Sequence, residues 1–385
     1  MIAYLTDIEG RWDKLASFAD GNPLVWLDGG ELRLADGVTF VFGGDAIDRG
    51  AAGRRIVDTF LAARAAYGER VVLLAGNRDI NKLRLVRELA GEPPADAPHG
   101  ASRGELLRWI FARTMGAPKA FEHRAAELGT TDDEAVVRSY LDDLGPGGAL
   151  RRYLEACQLG FRAGATLFLH GGLTAANFGV VPGAGTAATV EAWLAGLQRF
   201  YREELAAFAA GRVPAELIAY QAPLPGTHEN PDSVVYSRPT DEYGNPKLPP
   251  AELIARLRAE GIGRLVVGHT PSGDCPAIVR EGDFELVMAD NSYGRIELGS
   301  QVAFTDAEIR IRAQTELDDG RFARVDFTSA RAEGSPLGLR DRETGQLVKA
   351  PLVGGAYLLF RGLPERRVEQ LEAADLAGRT LVAAR

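Results

Sequence analysis

Short apolar runs alternate with longer amphipathic ones over the first ninety residues. Ile2 to Thr6, Val38 to Phe42 and Val71 to Ala75 are continuously apolar and read as buried strands. A helical pattern follows each: Trp12 to Phe18, Arg54 to Tyr67, and Ile80 to Leu89. Apolar strands alternating with helices predict an α/β chain whose mostly parallel sheet is covered on both faces. In sheets of that kind, binding groups gather in loops beyond the carboxyl ends of the strands.

"GEPPADAPHGASRG", from Gly91 to Gly104, breaks the rhythm with proline and glycine. Helical patterns then run to about Gly160. In "ELLRWIFAR", Leu106, Leu107, Ile110 and Phe111 share one face. Residues 91–165 are therefore expected to form a helical insertion lying over the strand ends. A strand, "TLFLHGGL", comes next. A long helix follows, with Trp193, Leu197, Phe200, Tyr201, Leu205 and Phe208 near one side as packing residues. Residues 223–250 are polar and rich in proline around an expected short strand, "SVVYSR", and loops of that length are often functional. "RLVVGHTP" and "FELVMADNSYG" supply further strands. From about Ser300 the pattern reads as α+β, with "GLRDRETGQLVKAPL" as a hairpin, "YLLFRG" as a strand and "ERRVEQLEAADL" as a helix. The expected division is a main domain over 1–299 and a small C-terminal α+β extension over 300–385.

Composition narrows the function classes. The chain has 385 residues, a net charge of -9 and an isoelectric point near 5.3. An acidic balance argues against general binding to nucleic acid or to anionic membranes. No apolar run reaches membrane-spanning length. The chain opens on a strand, "MIAYLTD", without the charged and apolar regions of a leader. Cys157 and Cys275 fit neither a metal spacing nor a disulfide framework. A cytoplasmic protein is the expectation.

Chemistry-bearing residues appear just after apolar strands at five places. Asp7 and Glu9 lie in "TDIEG"; Asp45, Asp48 and Arg49 in "GGDAIDRG"; Asn77, Arg78 and Asp79 in "GNRD"; His170 in "HGG"; and His269 in "GHTP". Each cluster includes or adjoins a glycine, which lets the backbone turn sharply or approach a ligand closely. Any one of them alone has an ordinary structural explanation: a helix cap, a surface turn pair, a buried histidine. Together they suit a pair of divalent ions roughly 3.5–4 Å apart, bridged by a carboxylate. Asp45 is the natural bridge, with Asp7 and Glu9 on the first ion and Asn77, His170 and His269 on the second. This nitrogen and oxygen set suits manganese, magnesium, iron or zinc.

The series resembles the calcineurin-like metallophosphoesterases, most closely the branch of serine/threonine protein phosphatases and symmetrical diadenosine tetraphosphatases. "GGDAIDRG" is its most specific part, and the resemblance covers roughly residues 1–299. It implies a four-layer αββα sandwich around a dinuclear metal site, and hydrolysis by a metal-bridging hydroxide. It assigns Asp7 and Asp45 to the first metal, and Asp45, Asn77, His170 and His269 to the second. Arg49 matches a phosphate-binding arginine, and Arg238 in "VVYSRP" is aligned with another. Thr270 and Pro271 follow His269, where other branches carry a second histidine.

Two positions depart from the family pattern. Glu9 replaces a histidine of the first metal, which shifts the expected preference towards manganese or magnesium. Arg78 replaces a histidine thought to protonate the leaving group. An arginine cannot donate that proton near neutrality, but it can hold a phosphate through two parallel hydrogen bonds. The expectation is that Asp48 pairs with Arg78 and aims it at substrate, with a purely structural ion pair as the alternative. His228, in "PGTHENP", is the candidate substitute acid. The expected activity is metal-dependent phosphoester hydrolysis, with manganese the first choice of metal and a nucleotide or other small phosphorylated molecule as substrate. A phosphoprotein phosphatase and a catalytically silent phosphate- or nucleotide-binding module are the alternatives.

Overall fold

Alternation along the three N-terminal parallel strands sorts their side chains onto two faces. The structure is a computed structural model describing residues 1–296, 298–330 and 335–385. Strands Ile2–Leu5, Thr39–Phe42 and Val71–Leu73 pair in parallel, so that Leu5, Phe42 and Leu73 end level with one another. Tyr4, Val41 and Val72 face inward to one core cluster, while their neighbours Leu5, Phe42 and Leu73 face outward to another. Helix Gly53–Tyr67 covers the outer face, its Phe60 ring 4.5 Å from that of Phe42.

A second sheet repeats this logic. Arg264–Val267 lies between Thr166–Leu169 and Phe284–Met288, parallel to both, so that Leu169, Val267 and Met288 end level. Its inward row, Phe168, Val266 and Val287, meets the inward row of the first sheet in one buried cluster. Phe168 stacks on Tyr4 at 5.6 Å and meets Phe304 edge-on at 5.7 Å. Helices Val190–Ala209 and Ala251–Ala259 turn Trp193, Leu197, Leu253 and Leu257 towards the outer core. Two sheets packed face to face with helices outside give the four-layer αββα sandwich expected from the sequence.

Several expected boundaries move. The first sheet runs in the order Phe322–Ala330, Glu308–Glu316, Gln301–Phe304, Ile2–Leu5, Thr39–Phe42, Val71–Leu73. Residues 301–330 therefore complete the sandwich, and the expected boundary at 300 falls inside it. Ala3 pairs with Ala303 across a 300-residue separation, which local pattern cannot reveal. The helical part of the insertion ends earlier than 165. Its helices are Arg103–Thr114, Ala120–Leu128, Asp133–Leu144 and Ala149–Ala156, after which Gly160–Ala163 is an edge strand of the second sheet. The expected helix at 80–89 divides into single turns, Asn77–Ile80 and Leu85–Glu88, around a tighter turn Asn81–Arg84.

Two element types also change. "SVVYSR" is a turn: the Ser233 hydroxyl accepts from the N–H groups of Val235 and Tyr236, folding the segment back on itself. Much of "ERRVEQLEAADL" is strand, Arg367–Leu371, which pairs with Tyr357–Arg361 and buries Val368. Only Ala373–Leu376 within it is helical. This strand belongs to a third sheet of five strands spanning Leu339–Asp341 to Leu381–Ala383. Ala350, Leu358, Phe360 and Val368 from that sheet share the core cluster of Val287 and Ile278.

Candidate metal centre

The level strand ends bring the loops of both sheets to one place. The first sheet contributes Asp7 and Glu9, Asp45, and Asn77; the second contributes His170 and His269. Backbone geometry marks the same loops. Among the described residues, the non-glycine positions with positive φ are Asp7, Glu9, Asp45, Asp48 and His269. Left-handed backbone costs an ordinary side chain free energy, and it accumulates where a site needs a side chain aimed against local preference. Gly76 is needed beside them: a Cβ there would meet Asp45 Oδ1 at 2.1 Å.

Asp79 locks two of these loops together. Its carboxylate accepts from the N–H groups of Asp45, Ala46 and Gly76 at 2.9–3.0 Å. Burial, and then Asp45, push its pKa up to about 7, against the pull of those three bonds. The Arg78 N–H in turn donates to Asp45 Oδ1 at 2.9 Å.

Four acceptor atoms converge on the result. Asn77 Oδ1 lies 3.2 Å from His170 Nε2 and 2.9 Å from His269 Nδ1, and His170 Nε2 lies 3.4 Å from Asp45 Oδ1. Ligand atoms of Asp45, His170 and His269 fall within 4.8 Å of one another. The Gly43 carbonyl, 2.8 Å from His170 Nδ1, fixes the proton on that nitrogen and leaves Nε2 a lone pair facing the cluster. Burial, followed by Arg238 and His170, holds His269 well below the usual histidine range and therefore neutral. Lone pairs gathered with few protons to share are what a divalent cation requires, so these four residues fit one.

The acids of the first loop are arranged differently. Glu9 Oε1 is 2.6 Å from Arg78 Nε, and Oε2 is 3.2 Å from Arg49 Nη1. Asp7 Oδ2 accepts from the Thr6 hydroxyl at 2.5 Å, and both its oxygens face the His269 N–H at 3.1–3.2 Å. Burial, then Asp290 and Asp45, raise Asp7 well above the carboxylate range. Burial raises Glu9 to about 7, opposed by Arg78 and Arg49. Buried Lys14 donates to the Asp7 carbonyl at 2.7 Å, and burial pulls its pKa down.

The expected pairing of Asp48 with Arg78 is loose. Arg78 Nη1 stands 3.9 Å from Asp48 Oδ2, whereas Lys82 Nζ takes that oxygen at 2.6 Å. Asp48 sits behind the site, and Arg78 is held instead by Glu9, the Met115 carbonyl and the Tyr293 hydroxyl. Arg49 stacks on the Tyr293 ring at 3.9 Å. A cavity of about 430 Å³ opens over the cluster, with Arg78, Arg238, His228 and Tyr236 among its walls. Arg238 is half-buried and its guanidinium reaches the His269 carbonyl at 3.4 Å; His228 is exposed.

Sequence reasoning passed over Asp290, Lys82, Lys14 and Tyr293. Asp290 had a readable signal: "FELVMAD" is one more apolar run ending in an acid, and Met288 ends level with Leu169 and Val267. Lys82 and Lys14 had none, since a lysine in a helical pattern ordinarily faces solvent.

Two mixed sheets face to face, with donors supplied from level strand ends of both, decide the fold. The architecture is a four-layer αββα sandwich. No family model matches the chain, and no curated protein does either. Solved structures do match. A cold-active protein-tyrosine phosphatase of a psychrophilic Shewanella species has 16% identity and a TM-score of 0.46, covering 84% of this chain and 79% of that one. A protein serine/threonine phosphatase from Saccharomyces cerevisiae, similar to human PP5, has 13% identity and a TM-score of 0.40, covering 87% and 81%. The candidate centre stands on the chain's own residues. No helix among the described residues is long and apolar enough to cross a membrane.

Proposed function

We propose that the chain is a metal-dependent phosphoester hydrolase whose divalent ion is held by Asp45, Asn77, His170 and His269. The observation that carries this reading is the convergence of Asp45, His170 and His269 within 4.8 Å from loops of two different sheets. A divalent ion there supplies a Lewis acid for a phosphoryl oxygen and lowers the pKa of water. Manganese is the first choice, with magnesium, iron or zinc as alternatives. The cytoplasmic location belongs to the same reading, in keeping with two free, buried cysteines.

The chain's own residues do the rest. Arg78 and Arg238, on the cavity wall, hold phosphoryl oxygens and offset the charge that grows on them. Arg49 steadies Glu9 and Tyr293 from behind. Arg78 cannot protonate a departing oxygen, because its guanidinium stays charged. His228 lines the cavity mouth and is the candidate donor to the leaving group. The substrate class favoured is a small phosphorylated molecule with a good leaving group, such as a nucleotide. A cavity of about 430 Å³ suits such a ligand.

A dinuclear arrangement is the second reading. It is favoured by the crowding of Asp7, Glu9, Asp45 and Asp290: burial, and then repulsion from Asp290 and Asp45, raises Asp7.

The test compares hydrolysis of para-nitrophenyl phosphate and an alkyl phosphate by metal-stripped protein supplied with manganese. Turnover should depend on the metal, fall to background in Asp45→Asn, and favour the aryl ester, by a further factor of about 10²–10⁴ in His228→Ala. Ligand binding without turnover under any divalent ion would leave a silent phosphate-binding module. Equal rates on phosphoserine peptides would instead point to a phosphoprotein phosphatase.

A further inference from the structure

The acids and the arginines of the first loop divide differently from the four ligands around Asn77. We infer that the Arg78 guanidinium is the resident positive charge of the first-cation position, so that the centre takes one divalent ion rather than two. This rests on the metal-centre reading given above.

Arg78 is anchored by the bridging aspartate and by two groups outside the ligand set. Its N–H bonds Asp45 Oδ1 at 2.9 Å, Nη1 bonds the Met115 carbonyl at 3.4 Å, and Nη2 bonds the Tyr293 hydroxyl at 3.3 Å. From that anchorage Nε stands 2.6 Å from Glu9 Oε1 and 3.5 Å from Asp45 Oδ2. Glu9 and the bridging aspartate are both acids expected at the first ion. The side chain is only 10% exposed, so its charge is weakly screened.

The remaining donors of that position are committed too. Arg49 takes Glu9 Oε2, and Asp7 faces the His269 N–H and the Thr6 hydroxyl. Charge bookkeeping agrees. The acids Asp7, Glu9, Asp45 and Asp290 meet the cations Lys14, Arg49 and Arg78. A second ion beside a fixed guanidinium would add repulsion in a buried, weakly screened site. The two departures from the family pattern are thereby one change: an acid at 9 and an arginine at 78 compensate each other where a histidine and a metal would stand.

The test counts manganese on the full-length, metal-stripped chain by equilibrium dialysis, and records its electron paramagnetic resonance spectrum at saturation. The native chain should hold about one ion with an uncoupled six-line spectrum, whereas close pairs at roughly 3.5–4 Å give exchange-coupled spectra. In Arg78→Gln the count should rise to about two and the coupled spectrum appear. Two coupled ions on the native chain would overturn the inference whatever the variant does, and so would a count of one in both proteins. No ion on the native chain would refute the metal centre itself, a failure distinct from either of those.

Discussion

Glu9 and Asp79 are buried acids held by opposite means, guanidinium groups for one and backbone N–H groups for the other. Burial raises both pKa values to about 7, from ordinary values of 4.5 for Glu9 and 3.8 for Asp79. The folded chain then binds these protons more tightly than the unfolded chain. Between the ordinary values and about 7 the folded state carries more protons, so stability falls as pH rises through that window. His269, held neutral, works in the opposite direction over the same range. In metal-stripped protein the melting-temperature difference between the native chain and Glu9→Gln, in which the His269 contribution cancels, should therefore decline from about pH 4.5 to about pH 7, read by circular dichroism. A difference that climbs over that range would show that Glu9 is ionised in the folded chain. The five strand-end clusters were legible as residues because strand, glycine and polar donor lie adjacent in sequence. The partner of each charge was not. Asp48 takes Lys82 and Glu9 takes Arg78 because of how the turns at 77–88 wind, and spacing along a chain does not encode that.

At the scale of elements, the loop after strand Thr39–Phe42 is the most constrained. Gly44 has φ of +103°, and a Cβ on it would meet the Gly76 N and His170 Nδ1, each at 2.7 Å. Neither neighbour is the loose end of a flexible side chain. Gly44→Ala should therefore destabilise the fold by more than about 1 kcal/mol, through backbone strain as well as contact. Urea unfolding measures that, and manganese affinity should weaken with it because His170 is displaced. The parallel strands and the long helix were readable from sequence because each buries a regular face. "SVVYSR" and "RVEQL" were misread because their apolar content is short and their state is set by partners. A serine-capped turn claims the first, and the edge of a third sheet claims the second.

At the scale of the whole molecule, the C-terminal sheet is part of the sandwich core. Leu358, Phe360 and Val368 share a cluster with Val287 and Phe304, and Lys349 donates to the Ser272 carbonyl beneath the loop that follows His269. The full chain should unfold in a single calorimetric transition. A chain ending at residue 330 should lose cooperative unfolding and bind a hydrophobic dye, since it exposes that cluster. Two separate transitions in the intact chain would restore the division expected near residue 300. The alignment of Leu5, Phe42 and Leu73 across one sheet, and of Leu169, Val267 and Met288 across the other, has a wider consequence. These strands act as rulers of fixed length. Deleting one residue from any of them would draw its terminal donor back by about 3.3 Å and turn its core side chains to the wrong face. Loops joining the far ends can lengthen or shorten through evolution, whereas the strands themselves admit replacement of residues but no change in their number.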